Sequence, residues 1–535
     1  MKKVAFHNLG CKVNAYELDA MQKLFLEQGY ELVSFEEKAD VYVINTCTVT
    51  NIADRKSRQM LHRAKKMNPS ALVVAVGCYV NSHSGEIMAD NSIDLCIGNN
   101  QKGKITELVT ELLNRRKDEI AGVMPDREKE SAARETMPDR EKESAAREAM
   151  PDREKESAAR KAMPEINVPD ISKENMFEEL EIDTTAERCR AFIKVQDGCN
   201  QFCSYCIIPY ARGRARSRKK EHVLKEIGNM AAKGYQEFVI TGIHLSSYGT
   251  DFDREKPKAD CFGSAQLLDL LWDISRIPGV ARIRLGSLEP RLITEEFAME
   301  LAKIPQICPH FHLSLQSGCD RTLQRMNRHY TAQEYKERTE ILRREFVHPA
   351  ITTDIIVGFP GETEEDFEQC RRFAEEISFY EMHIFKYSRR KGTPADRMPG
   401  QLTDAEKTAR SHILEELEYR QSQEFRSYYL GRQVEVLIEE KKELIWENEK
   451  KICWIGHTPE YIKVAIPAEN DVKNGADTAI VNVTNGADAA IVNVTNGTDT
   501  AISNVGQMSP QLVNRICRVM VDRVSGEQYL QGHFI

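Results

Sequence analysis

Cys199, Cys203 and Cys206 lie in the run VQDGCNQFCSYCIIPYARGR, a C-x3-C-x2-C spacing. Three thiolates from one short loop can hold a cubane iron–sulfur cluster and leave one iron without a protein ligand. Electron carriers use four cysteines, so a set of three points to an iron free to bind a small molecule. The competing reading is structural zinc or buried thiols. Structural zinc takes four ligands, usually from paired C-x2-C knuckles, and neither a second knuckle nor an H-x3-H follows nearby. Spacing alone therefore gives a three-thiolate site.

A second set emerges from the elements that precede it. VAFHNLGC is an apolar run ending at Cys11, DVYVINTC one ending at Cys47, and ALVVAVGC one ending at Cys78. AYELDAMQKLFLEQGY, between the first two, has the helical spacing of Leu18, Met21, Leu24 and Phe25; the polar stretch 52–67 is helix-compatible. Near-continuous Val/Ile/Leu strands alternating with helices predict a parallel sheet covered on both faces. Ligands of such sheets sit beyond the carboxyl ends of the strands, so three strands would deliver one cysteine each to a single edge. Cys96, inside the run DLCIGNN, reads as core filler. Cys11, Cys47 and Cys78 read as a second cluster site, also with one open iron.

The C-x3-C-x2-C loop resembles that of the radical S-adenosylmethionine (SAM) enzymes. The chain as a whole resembles the methylthiotransferases among them. LGCKVN, INTCTVT and VGCY match that family's amino-terminal domain, and GCNQFCSYCIIPYARGRARSR its radical centre. ITGIHLSSYG, RLGSLEP, HLSLQSG and TTDIIVGFPGET match its barrel strands, and GHTPEYIKV its small RNA-binding TRAM barrel. The resemblance implies two 4Fe-4S clusters and SAM as cofactors, with tRNA as the macromolecular partner. It implies an electron donor of flavodoxin or ferredoxin type and leaves the sulfur donor unnamed. In that scheme one SAM is cleaved at the Cys199/Cys203/Cys206 cluster to a 5′-deoxyadenosyl radical. A second SAM methylates sulfur held at the open iron of the Cys11/Cys47/Cys78 cluster. By the same resemblance Tyr205 lies against the adenine of SAM and Gly242 admits its methionyl backbone. Ser287 and Glu289 meet its polar groups, and Gln316 and Gly358 stand at neighbouring strand ends.

Three family substrates are open: threonylcarbamoyladenosine or isopentenyladenosine beside a tRNA anticodon, and an aspartate of a ribosomal protein. LGCKVN, FIKVQDGCN and IIPYARGRARSR are spelled most like the threonylcarbamoyladenosine branch, which adds the methylthio group at carbon 2. A rival of another class is a non-catalytic iron–sulfur sensor that binds RNA.

The 535 residues, 41% of them hydrophobic, suffice for two to four domains. Fourteen cysteines without a signal peptide point to a reducing compartment and metal chemistry, hence the cytoplasm. No run approaches the roughly 20 apolar residues that span a bilayer. The net charge of −9 is unevenly spread. Residues 166–187 carry seven acids against the single base Lys173, whereas 188–220 carry nine Lys or Arg against Asp197. The run RGRARSRKK after the cluster loop is therefore expected to touch phosphate.

The expected organisation is α/β in three parts. Residues 1–117 form the doubly wound domain, and 118–187 a charged linker with a 13-residue repeat over 124–163. Residues 188–427 form a partial (β/α)6 radical SAM barrel with candidate strands FIKVQDG, EFVITGI, ARIRLGS, FHLSLQS, ITTDIIVGF and MHIFKYS. Residues 428–535 form a small all-β barrel from RQVEVLIEE, EYIKVAIP and ICRVMVDRV, with an 11-residue repeat insert over 468–506.

Overall fold

The computed structural model describes residues 1–120, 165–185, 189–252, 262–446, 449–468, 512–525 and 529–535. The first repeat, and the second apart from Ala468, lie outside the described residues. The amino-terminal sheet is wholly parallel: β1 Lys3–Asn8, β2 Glu31–Val33, β3 Val41–Thr46, β4 Leu72–Gly77, β5 Leu95–Ile97 and β6 Glu165–Asn167. Their order is β2-β1-β3-β4-β5-β6. Every residue of β3 and β4 is buried, because helices cover both faces. The edge strand β6 comes from the segment read as linker; its three residues EIN carry no hydrophobic pattern.

The central part holds all six expected strands: β7 Arg190–Asp197, β9 Glu237–Gly242, β10 Arg282–Leu285, β11 His310–His312, β12 Ala350–Val357 and β13 Glu381–Lys386. A two-residue strand, β8 Arg216–Ser217, adds antiparallel to β7. Isolated bridges such as Leu288 to Leu313 join β10 to β11, so the strands form one curved wall. Alternation along each strand divides its side chains. Ile193, Phe238, Ile283, Phe311, Ile351 and Met382 pack in one apolar core. Arg190, Lys194, Glu237, Arg284, His312, Asp354 and His383 take the opposite, lumenal face.

The carboxyl part is a closed five-stranded barrel: β14 Gln433–Trp446, β15 Glu449–His457, β16 Lys463–Pro467, β17 Ile516–Val524 and β18 Leu530–Phe534. β15 opens on the charges EKK and β18 carries an internal glycine, so neither alternates clearly in sequence. The loop from β15 to β16 stops the base of the central barrel. Tyr461 stacks on His457, ring centroids 4.6 Å apart, and lies 4.6 Å and 4.9 Å from the guanidinium carbons of Arg284 and Arg190. Those arginines share buried Glu237 at 3.1 and 2.9 Å. Burial alone would raise the Glu237 carboxyl; Arg284, Arg190 and Arg282 overrule it and hold it far below the usual range. No helix among the described residues is long and apolar enough to cross a membrane.

Candidate metal centres

Each cysteine of the first set stands where a parallel strand hands over to a helix. Cys11 caps helix α1 (Lys12–Glu27), Cys47 follows β3 and precedes α2 (Asn51–Met67), and Cys78 begins α3 (Cys78–Ser82). Desolvation raises the Cys11 thiol, against the opposing pull of Arg212. Gly10 and Gly77, with φ of +112° and +100°, make the turns that bring the sulfurs together. A Cβ on Gly10 would stand 3.0 Å from the Cys47 sulfur; one on Gly77 would stand 2.8 Å from Asn45 Oδ1. Only glycine allows both the conformation and the approach.

Behind these sulfurs lies a buried charge network that joins the first domain to the barrel. Arg212 Nε donates to Cys78 Sγ at 3.1 Å, Nη2 to Asn14 Oδ1 at 2.7 Å, and Nη1 to Glu17 Oε1 at 2.9 Å and Asp197 Oδ1 at 3.1 Å. Lys194 and Lys102 also reach Glu17, at 2.7 and 3.1 Å, and Arg216 lies 3.7 Å from Asp197. Burial would push both carboxyls up, but the surrounding cations hold them well below the carboxylate range. Among these groups four cations face two carboxylates. Asn99 Nδ2 also approaches the Cys78 sulfur at 3.6 Å.

The barrel's far end grips the same domain. Buried Arg390, beyond β13, pairs with Asp54 at 2.7 Å and donates to Asn51 Oδ1 at 2.7 Å and Thr48 Oγ1 at 2.5 Å. Arg212 and Arg390 thus hold the Cys78 and Cys47 loops from opposite ends of the open barrel. Cys11 itself is exposed. It lines a cavity of about 450 Å³ together with Lys12 and with Arg190 and Phe192 of β7 and Glu439 of β14. Cys11 therefore faces a space shared by all three parts of the chain.

The second set is a loop fastened from outside. Ser204 N donates to Met326 O at 2.9 Å and Ser204 Oγ to Arg325 O at 2.7 Å, while Asn327 Nδ2 donates to Phe202 O at 3.1 Å. The Gln201 amide points at Cys199 Sγ at 3.4 Å, and Arg328 Nη1 at Cys203 Sγ, also at 3.4 Å. Burial pushes the Cys199 thiol up to about 12, and that of Cys47 likewise to about 12. Such thiols keep their protons until a cation displaces them. Three sulfurs per set, with nitrogen donors on Cys78, Cys199 and Cys203, fit iron–sulfur clusters that keep one iron open.

The remaining expected residues are dispersed around the strand ends. Glu289 is buried and pairs with Arg328 at 2.7 Å, with Arg291 and His244 at 3.8 and 3.9 Å. Ser287 is exposed, and Tyr205 is half-buried with its ring 6.4 Å from that of Phe359. Gln316 is buried at φ +68°, its amide donating to Asp354 O at 2.8 Å. A Cβ on Gly242 would lie 2.9 Å from the Gln196 side chain, so a protein neighbour already accounts for that glycine. The basic run departs from its expected role. Arg212, Arg216 and Arg218 are fully buried, and Arg218 pairs with Glu226 at 2.5 Å, so these three cannot meet phosphate. Only Arg214 and Lys219 of the run are exposed. Arg212, Arg328 and Arg390 were not singled out as site residues in the sequence, since arginine spacing carries no signal of its own.

Comparisons with known proteins agree with this geometry. The Radical SAM superfamily pattern matches residues 193–374, and the pattern of "Uncharacterized protein family UPF0004" matches 3–98. The chain is 37% identical over 472 residues to "Threonylcarbamoyladenosine tRNA methylthiotransferase MtaB" of Bacillus subtilis (strain 168), covering 88% of this chain and 92% of the relative. The protein of the same description from Aquifex aeolicus (strain VF5) is 36% identical, with 83% and 95% covered. "tRNA-2-methylthio-N(6)-dimethylallyladenosine synthase" of Thermoanaerobacter sp. (strain X514) is 31% identical, with 82% and 83% covered. Two three-cysteine sets, a radical SAM barrel and relatives that match along nearly their whole length identify the chain as a member of the radical SAM methylthiotransferase family.

Proposed function

We propose that this enzyme adds a methylthio group to carbon 2 of threonylcarbamoyladenosine beside the anticodon of tRNA, in the cytoplasm. The observation that carries the reading is the pairing of two three-cysteine sets in one chain with 37% identity to a relative described by that substrate. Family membership brings SAM and two 4Fe-4S clusters, which Cys199, Cys203 and Cys206 and Cys11, Cys47 and Cys78 would hold. When bound, the clusters supply one-electron reduction of SAM and an open iron to carry sulfur.

The chain's own residues then have positional tasks. The target C–H bond is too weakly acidic for a side-chain base, so the protein's work is placement. Arg328 ties Cys203 to Glu289, a lumenal carboxylate suited to the polar groups of SAM. Tyr205, Gly242, Ser287 and Gln316 would complete that pocket. Arg212 and Arg390 hold the first domain against the barrel, which would let both cysteine sets address one space. Mass analysis of tRNA nucleosides from a strain lacking the protein tests the reading. Loss of the methylthio form with accumulation of its threonylcarbamoyl precursor is expected; an unchanged nucleoside profile refutes it. The electron donor is expected to be a flavodoxin or ferredoxin.

A further inference from the structure

The lumenal wall carries two adjacent rows of opposite character that no cofactor residue uses. The polar row is His312, Asp354 and His383 on neighbouring strands β11, β12 and β13. Their ligand atoms all lie within 4.8 Å of one another. Asp354 pairs in register with His383, and His312 with Thr352, so all share one face. His312 Nδ1 meets Thr352 Oγ1 at 3.0 Å, which turns Nε2 toward Asp354 Oδ2 at 3.3 Å. The two imidazoles lie 5.8 Å apart and nearly parallel. Exposure rises from buried His312 through Asp354 to exposed His383, whose ring nitrogens have no hydrogen bond among the described residues.

The next row toward the strand ends is apolar. Ile356 pairs in register with Phe385, two residues beyond Asp354 and His383 on the same face. Phe385 is 45% exposed although it faces the lumen. Two residues along a strand span about 7 Å, so a flat ring on Phe385 would place a polar arm against the histidines. Gln316 ties both rows to the proposed SAM pocket, donating to Asp354 O at 2.8 Å and accepting from Ile356 N at 2.9 Å.

Resting on the proposed function, we infer that this double row is the substrate subsite: Phe385 stacks the modified purine, and His312, Asp354 and His383 recognise its threonylcarbamoyl arm. The chemistry matches group by group. The His383 N–H donates to the arm's carboxylate, and the Asp354 carboxylate, oriented by His312, accepts from its hydroxyl or urea N–H. Aromatic stacking accepts any base, so discrimination falls to the polar row. The same three donors are also a set that could take a metal ion, so the test includes metal analysis.

The test is fluorescence anisotropy of labelled anticodon stem-loops, with and without the threonylcarbamoyl group, on cluster-loaded protein. The native protein is expected to bind the modified stem-loop about tenfold tighter. His383→Phe and Asp354→Asn, both at partly exposed positions that spare the core, should bring that ratio close to one. Phe385→Ala should weaken both stem-loops in proportion. A native protein that discriminates while both polar variants keep the full ratio overturns the subsite. A native protein indifferent to the arm overturns instead the substrate reading beneath it. A stoichiometric non-iron metal, seen by elemental analysis and lost in His383→Phe, would overturn direct contact in favour of a metal site.

Discussion

The two cysteine sets are built in opposite ways. Cys199, Cys203 and Cys206 sit within one loop, and its outer fastenings come from elsewhere, among them residues 325–328 and the Ala395 amide on Ser204 O. Cys11, Cys47 and Cys78 come from three strand ends, and their alignment depends on sheet order, two left-handed glycines and a buried network of charges. A loop-borne site can survive changes to the rest of the chain, whereas a strand-borne site is only as firm as its domain and that domain's seat on the barrel. In the proposed function the same contrast separates the tasks: the local set would address SAM, and the assembled set would have to be carried to it.

The largest expected effects separate the sets outright. Cys199→Ala should reduce 5′-deoxyadenosine formation to background in a reduced, anaerobic assay with SAM. Cys11→Ala should lose methylthio transfer while SAM cleavage continues. Full transfer activity in the Cys11 variant would end the two-set scheme.

Next is the seat of the assembled set. Arg212→Met leaves Glu17 and Asp197 with fewer cations in a buried setting, where breaking such a pair costs about 3–5 kcal/mol. Thermal melting should report that loss. Iron should fall at the first set while SAM cleavage at the second is retained; an equal loss at both sets would deny that Arg212 serves one of them. Gly10→Ala is a milder form of the same challenge. A non-glycine residue at this φ costs about 1–2 kcal/mol, and the added methyl would crowd the Cys47 sulfur. Lower iron in the first set, with a small drop in melting temperature, is the expected result.

The smallest effect concerns acid. Glu17 and Asp197 have carboxyls depressed below their unfolded values by Arg212, Lys194 and their neighbours, against the opposing effect of burial. Their stabilising contribution is therefore complete above the unfolded value near pH 4 and disappears only as pH falls through the depressed folded values. Melting temperature should be insensitive to these groups between pH 5 and 8. A Glu17→Gln protein, expected to melt lower, should show the same offset at both ends of that window. An offset that widens toward pH 5 would instead mark a Glu17 carboxyl raised by burial.

Much of this was legible in the sequence, for reasons that differ by residue. The six cysteines announce themselves because thiols are scarce and their placement, in a loop or at strand ends, is repeated. Strand–helix alternation gave the two α/β parts because β3 and β4 are apolar throughout or nearly so and β12 carries the apolar pair Ile355–Ile356 before its turn. β6, β8, β15 and β18 were hidden because EIN, RS, EKK and the glycine of LQGHF lack a period of two. The basic run was misread for a physical reason. Sequence counts the charges on Arg212, Arg216 and Arg218 but does not show that Asp197 and Glu226 nearby, and Glu17 from across the fold, turn inward to neutralise them. Arg328 and Arg390 were invisible for the same reason, their partners lying 39 and more than 300 residues away.

The most direct measurement is anaerobic iron and sulfide counting with Mössbauer spectroscopy on three proteins: native, Cys11/Cys47/Cys78→Ala, and Cys199/Cys203/Cys206→Ala. Two separate three-thiolate sites predict about eight irons in the first and about four in each of the others. Only the variant that keeps Cys199, Cys203 and Cys206 should still cleave SAM. About four irons in the native protein, unchanged when Cys11, Cys47 and Cys78 are removed, would contradict the account.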